Sequence, residues 1–549
     1  MQKITSFLLI CLACGLSISN TLYAQSLAPL IDANSLGYYE DAFRYARLTS
    51  VQGSSRIQAI GGAQTAIGGD ISNLTGNPAG LGFFGKNNFS IGIGAGNAST
   101  QTSYFTQKEN KNATMAGSKG LGSLNHVSGV IALKNKKSTT DAPTVWRGGS
   151  FAFSVSRTNN FQDQTSFQGT NSRNSKLDSY INQAWNVPES RFQNTTDFNT
   201  GNINYLRPVY YAFLLGVPDV PVAGAPYFSY FRDGQERMLG KITQEQATET
   251  KGGQNQWNFG FGGNVADKFY FGFSAGMTTL NYRKYTTYKE EIDNNNSILT
   301  NFTEFDSLQV KGTGVNFNVG FMVRPINMIR IGVSFNAPTL FSMQETFGTT
   351  YESKNTFITQ DSPNGFRRAS ALPGSYTYRL RTPARINGGL SVFVGKYGFI
   401  TGEVEYIAYN SMKLSDYEDI TLFSADNSTI NTLYKSVLNL KFGAEFRYQN
   451  FYARGGYAYN PNPVREIDFI DRSISHITGG LGLSFEQYSF DFSLVNTRYR
   501  SGNSPYSTQL DANGYGKYLS DKGVDVGNSP YSESKHTLWQ GVLTFSLKF

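Results

Sequence analysis

From Trp539 onward every second residue is apolar or glycine. Trp539, Gly541, Leu543, Phe545, Leu547 and Phe549 alternate with Gln540, Val542, Thr544, Ser546 and Lys548. A period of two is the period of a strand with one apolar and one polar face. The same alternation recurs upstream, and it gives fourteen strands: 87–96, 122–134, 148–158, 254–264, 267–281, 310–323, 328–340, 376–394, 398–411, 434–448, 450–460, 474–486, 488–498 and 536–549. Each strand must set its apolar face against something apolar and its other face against polar groups.

Composition identifies the apolar partner. Charged residues are 16% of the 549 residues, against roughly 25% in soluble domains, while aromatics reach 14%. The mean hydropathy is only −0.35, and no run of about 18 apolar residues follows the first segment, which excludes helical spans. Strands that expose alternate residues to lipid reconcile high aromatic content with low hydropathy. Links after even strands are short (Ala266, 324–327, 395–398, Gln449-Asn450, Gln487), apart from 135–147 after the second. Links after odd strands read as long and polar. The expected fold is all-β: a 14-stranded antiparallel transmembrane β-barrel, with a glycine-rich hatch plugging its lumen and both barrel ends on the short-turn, periplasmic side.

Residues 1–24 read as a signal peptide, with Lys3 ahead of the apolar run 4–18 and cleavage after Ala24. Cys11 and Cys14, the only cysteines, leave with it, so no thiol chemistry is expected in the mature chain. A net charge of +8 is carried by scattered Lys and Arg with no basic run, which points away from nucleic acid. Three parts follow: the N-terminal segment and hatch at 25–86, the barrel at 87–549, and within it a long extracellular loop at 159–253. Phe43 and Arg47 lie at helical spacing ahead of the hatch. The hatch is glycine-dense and carries the turn starter Asn77-Pro78.

The long loop contains the stretch 204–231, too apolar to lie only in water. Phe213, Leu214, Leu215 and Phe228 are its candidate cargo-capture residues. Arg385, Glu403, Glu405, Lys441, Glu445, Arg447 and Arg454 fall on the polar faces of neighbouring strands, where opposite charges pair side by side. They form a candidate ladder across the lumen or a polar contact for the headgroup of a cargo. Gly148-Gly149 opens the third strand and is a candidate kink.

Gly80 to Asn87 nearly spells a phosphate-binding loop, but Asn87 replaces the magnesium-holding Ser/Thr and a strand follows instead of a helix. His126, His476 and His536 fall on polar-face parity without a spaced ligand motif. No catalytic constellation, cofactor motif or metal site emerges, so an enzyme is not expected.

GSSR at 53–56, Gly61-Gly62-Ala63, Gly68-Gly69-Asp70 and Asn77-Pro78-Ala79-Gly80 resemble the N-terminal hatch of the FadL/TodX family of outer-membrane transporters. YEDAFRYARL and the segments 381–414 and 439–459 are similar to the Bacteroidetes branch, whose members are often labelled hemin receptors. The resemblance implies passive uptake of hydrophobic small molecules, most of all long-chain fatty acids. It implies a binding and gating role for Asn77, Pro78, Ala79 and Gly80 beside a lateral opening in the wall. The terminal strand, ending on Phe549, resembles the signal read by the barrel assembly machinery. The implied setting is the Gram-negative outer membrane, with lipid as a partner. A surface receptor, a secretion-partner barrel and a hemin-binding receptor are the alternative readings.

Overall fold

The computed structural model describes residues 35–106, 111–134, 145–185, 187–193, 202–218, 227–356, 364–465, 470–508 and 528–549. The expected signal peptide, with both cysteines, lies outside the described residues. So does most of the link 135–147.

Fourteen antiparallel staves close the barrel. They are β1 (Asn88–Phe105), β2 (Lys111–Lys134), β3 (Trp146–Asn160, continued as Asp163–Asn171), β4 (Ile242–Val265), β5 (Phe269–Ile292), β6 (Leu299–Ile326) and β7 (Ile329–Asn336, continued as Leu340–Asn355). Then come β8 (Phe366–Ser370 and Gly374–Arg381, continued as Arg385–Phe393), β9 (Gly398–Ala408, continued as Lys413–Ser415), β10 (Ser436–Tyr448), β11 (Phe451–Asn460), β12 (Ile474–Ser484), β13 (Tyr488–Asn503) and β14 (Tyr531–Lys548). The seam is in register from Asn88↔Lys548 to Phe105↔Tyr531. Alternation sorts the faces. Phe273 and Met277 on β5, Val315 and Phe317 on β6, and Phe442 and Phe446 on β10 are exposed in an outer belt, while Ser274, Thr278, Asn318 and Glu445 point inward and are buried. No described helix is long and apolar enough to cross a membrane; the chain crosses with strands.

The strands run further than the alternation foretells. β4, β5 and β6 have 24, 24 and 28 residues, where a span needs about 9–11. The links expected at 97–121 and 282–309 are largely strand. These extensions are rich in Thr, Tyr, Gln and Lys. Beyond the lipid belt the hydropathy contrast fades, but strand propensity persists. Pro338 and Pro383 sit at the breaks inside β7 and β8, where a residue without an N–H interrupts the ladder.

Three bodies fill the interior. The hatch, 51–86, is nearly all buried and includes the turn Pro78–Phe83. Above it lies helix α1 (Tyr38–Ala46). Ser35 Oγ and the amides of Leu36 and Tyr39 donate to the buried Asp426 carboxylate at 2.9, 3.0 and 3.2 Å, the charge a helix N-terminus favours. Asp426 belongs to helix α6 (Ser424–Leu433). The second long link forms a cap of helices α3 (Lys176–Ala184), α4 (Glu189–Gln193) and α5 (Asn202–Tyr211); the short α2 (Ser55–Gln58) belongs to the hatch. The cap buries Leu177, Ile181, Phe192, Val209 and Phe231 with Tyr288, Phe302 and Tyr351 of the extended wall. The expected loop is therefore a small folded body with a core shared with the staves.

Candidate functional site

The hatch is tied to the wall around its circumference. Ser55 Oγ donates to Val542 O on β14 (2.8 Å), Ser150 Oγ on β3 to Leu81 O (2.8 Å), and Ser274 Oγ on β5 to Leu74 O (2.7 Å). Asn77 Nδ2 donates to Thr65 O (2.7 Å) and to Phe321 O on β6 (3.1 Å), while its Oδ1 caps the following turn by accepting from Ala79 N (3.1 Å). Pro78 holds Asn77 extended, at φ −117°, which aims the amide both ways. Asn77, Pro78, Ala79 and Gly80 are all buried at this junction. Wall glycines make the close fit: a Cβ at Gly262 would lie 2.6 Å from Leu81 Cβ and 2.7 Å from Gly82 N.

Between hatch and α1 lies a chamber of about 180 Å³. Its lining is polar. Gln254 and Gln256 come from β4, Asn316 and Asn318 from β6, Asn336 from β7, Asn387 from β8, Asn439 from β10 and Asn460 from β11. Glu403 Oε2 accepts the hatch amides of Gln64 and Thr65 at 2.8 Å each, and its Oε1 accepts from Lys441 Nζ at 2.8 Å. Glu405 accepts from Asn439 Nδ2 (2.8 Å) and faces Lys441 (3.6 Å) and Arg385 (3.9 Å). Arg385 Nη2 also donates to Ala46 O at the C-terminus of α1 (3.0 Å), where a cation complements the helix dipole.

The other ladder residues lie lower. Glu445 pairs with Arg447 (2.9 Å), Arg454 (2.7 Å) and the hatch residue Arg56 (3.3 Å), and Arg454 reaches Asp491 at 2.6 Å. Arg56 and Asp491 join the ladder without having been singled out in the sequence. Arg56 lies in the hatch, where no strand parity applies.

The ladder of the wall is interrupted at β2 and β3. The β2–β3 ladder runs from Lys134↔Gly148 to His126↔Ser156 and stops. Among the described residues, the far edge of β2 from Lys111 to Asn125 has no ladder partner. Above the last rung β3 bulges between Arg157 and Asn159, breaks at Phe161-Gln162, and resumes across the inner face of β1 and β2, with Thr100 Oγ1 donating to Gln164 O (2.5 Å). The N-terminal segment holds this bend. Asn159 Nδ2 donates to Arg47 O (2.9 Å), and Gln52 Nε2 to Thr158 O (2.7 Å). A cavity of about 20 Å³ lies at the last rung, lined by His126, Ser154 and Ser156, and shares Gln52 and Thr75 with the chamber. Gly148, at φ +134°, sits at a separate bulge near the short-turn end, and Gly149 pairs there with Leu133.

Leu214 and Leu215 are fully buried in the cap core, while Phe213 and Phe228 are half-buried at its edge. Arg367 stacks over Phe213 at 4.7 Å. The three histidines do not converge. His126 bonds Ser90 (2.9 Å), His476 bonds Thr497 (2.9 Å), and His536 bonds Ser501 (2.8 Å) and faces Asp163.

No family model matches the chain, and no curated protein matches it. Solved structures do. The Pseudomonas putida toluene transporter TodX aligns at 12% identity and a TM-score of 0.48, over 92% of this chain and 99% of that one. A Pseudomonas aeruginosa FadL homologue aligns at 12% and 0.48, over 92% and 99%. The Ralstonia pickettii toluene transporter TbuX aligns at 13% and 0.46, over 91% and 99%.

Proposed function

We propose that this barrel is an outer-membrane channel for passive uptake of hydrophobic or amphipathic small molecules, with long-chain fatty acids the first cargo to test. Cargo arrives on the long-loop side, reaches the chamber against the hatch, and leaves sideways. The observation that carries this reading is the interrupted β2–β3 ladder beside a lumen plugged below by the hatch and above by α1. A molecule that partitions into lipid has a route there that a water-soluble one lacks, since burying its chain gains about 0.8 kcal/mol per CH₂. Residues 1–24 would direct export, and β14 would present the chain to the assembly machinery.

Blocking the break tests this. Leu124 lies on the unpaired stretch of β2 and Ile131 on the paired stretch, both exposed on the outer face. With the native cysteines confined to positions 11 and 14, a bulky maleimide on Leu124→Cys is expected to stop labelled oleate uptake by cells. The same label on Ile131→Cys is expected to leave it intact. Equal uptake in the two would overturn lateral release.

The folded cap favours a second reading, a surface receptor or secretion partner. A second outer-membrane protein that co-purifies at fixed stoichiometry, and is lost with the cap, would support it.

A further inference from the structure

A second cavity, of about 210 Å³, lies between hatch and wall at the short-turn end. Four cations line it: Arg56 from the hatch, Arg447 from β10, Arg454 from β11 and Lys548 from β14. Asp70 and Asp491 are the acids on the same lining. Asp70 is engaged inside the hatch, accepting from Ser54 Oγ (2.9 Å) and Ser72 N (3.0 Å), and Asp491 is held by Arg454. Glu445 is the shared partner of the three arginines. Four cations against these three carboxylates leave one positive charge over. It falls at Lys548, whose Nζ donates to Ser484 Oγ at 3.3 Å and has no carboxylate within 4.0 Å among the described residues.

The guanidiniums are not used up either. Arg56 bonds Glu445 through Nε at 3.3 Å and keeps 19% of its side chain exposed, and Arg447 beside it keeps 35%; each arginine carries five N–H donors. The ring of Tyr452 lies 5.2 Å from both Arg447 and Arg454 and steadies them before anything binds. The cations converge from three elements: hatch, β10 and β14. A tetrahedral oxyanion offers oxygens in as many directions, whereas a carboxylate offers two in one plane. The volume of about 210 Å³ has room for a phosphate with water around it, at ~30 Å³ per water-sized group. The structure assigns to this cavity a phosphate-class oxyanion, held by Arg56, Arg447 and Lys548 and bridging the hatch to the wall. Free phosphate and the headgroup of an anionic phospholipid share that chemistry. Since Arg56 belongs to the plug and the other two to the wall, a bound anion holds the hatch seated.

The full barrel in phosphatidylcholine nanodiscs is titrated with inorganic phosphate, at ionic strength kept constant with chloride, and binding is read by calorimetry. Saturable binding is expected, weakened about tenfold or more in Lys548→Gln and in Arg447→Gln, each of which removes a charge-assisted bond. Arg447→Gln carries the test if Lys548→Gln, in the terminal strand, fails to assemble. Lys86→Gln is the control and should bind as the wild type does, since Lys86 is half-exposed at the same end but off the lining. The hatch amides of Gln58 and Gly69 bond Ser54 O and Gly80 O. With phosphate at ten times its Kd their hydrogen exchange should slow about elevenfold, one plus the ratio of ligand to Kd. The same protection in phosphatidylglycerol nanodiscs without added phosphate, lost in Lys548→Gln, would sustain the site and identify a lipid headgroup as the source; protection by added phosphate alone would identify the free ion. No saturable binding, an equal loss in Lys86→Gln, or acetate binding as tightly as phosphate would overturn the site. Binding without slower hatch exchange would overturn the bridge. Uptake enters neither readout, so the transport reading stands or falls separately.

Discussion

The fit between hatch and wall can be tested with one methyl group. At Gly262 an added Cβ would meet Leu81 Cβ at 2.6 Å, Gly82 N at 2.7 Å and Pro78 O at 2.8 Å. Ordinary contact begins at 3.4 Å, so the turn Pro78–Phe83 must retreat by about 0.8 Å. It cannot do so freely, because Ser150 holds Leu81 O and Asn77 holds the start of the turn. Overpacking of this kind costs about 1–3 kcal/mol, which raises the population of the released hatch about five- to 150-fold. Hydrogen exchange reads that population through the amides of Gly69, Gly80 and Phe84, which are bonded within the hatch. Gly262→Ala is expected to speed their exchange by that factor and leave the amides of β10 to β14 unchanged. Gly129→Ala is the control, since a Cβ there meets nothing within 4 Å. Unchanged hatch exchange in Gly262→Ala, or equal acceleration in Gly129→Ala, would refute the reasoning.

Other expectations follow from single side chains. Asn77→Ala removes two hatch bonds and a cap, at about 1 kcal/mol each, and should free the hatch in the same exchange assay without lowering the barrel's melting temperature. Arg232 and Asp178 are both 2% exposed and pair at 2.7 Å in the cap; Arg232→Ala leaves a buried carboxylate behind, costs about 3–5 kcal/mol, and should open the cap to limited proteolysis. Asp306, on the part of β6 beyond the lipid belt, is pushed up to about 6 by burial and by Glu304, against Lys176, Lys284 and the Thr349 hydroxyl. Its folded state holds a proton that the unfolded chain has already lost, so the cap loses stability as pH rises from about 4 to 6. Asp306→Asn should slow cap proteolysis at pH 7 and change nothing at pH 4.

The strands that cross lipid were legible because lipid demands alternation: Phe271, Phe273 and Ala275 leave little choice of face. The extensions of β4 to β6 were not, since Thr and Gln alternate with equally polar neighbours, and only the distant cap core makes their inward faces matter. The charged ladder was readable from parity, pair by pair. The wall break was not. It depends on Asn159 meeting Arg47 and Thr49 across more than a hundred residues, and no local pattern in β3 announces it. The polar chamber did leave a signal: an inward Asn near one level in β6, β7, β8, β10 and β11, a poor choice for a route meant to be wholly greasy.

Ser55 donates to the Val542 carbonyl of β14, and its own amide donates to Thr544 Oγ1 of the same strand at 3.1 Å. The hatch thus touches the last strand of the wall. β14 is also the strand that closes the seam with β1. Plug and seam are therefore joined: a strain that parts β14 from its neighbours pulls on the hatch through Ser55.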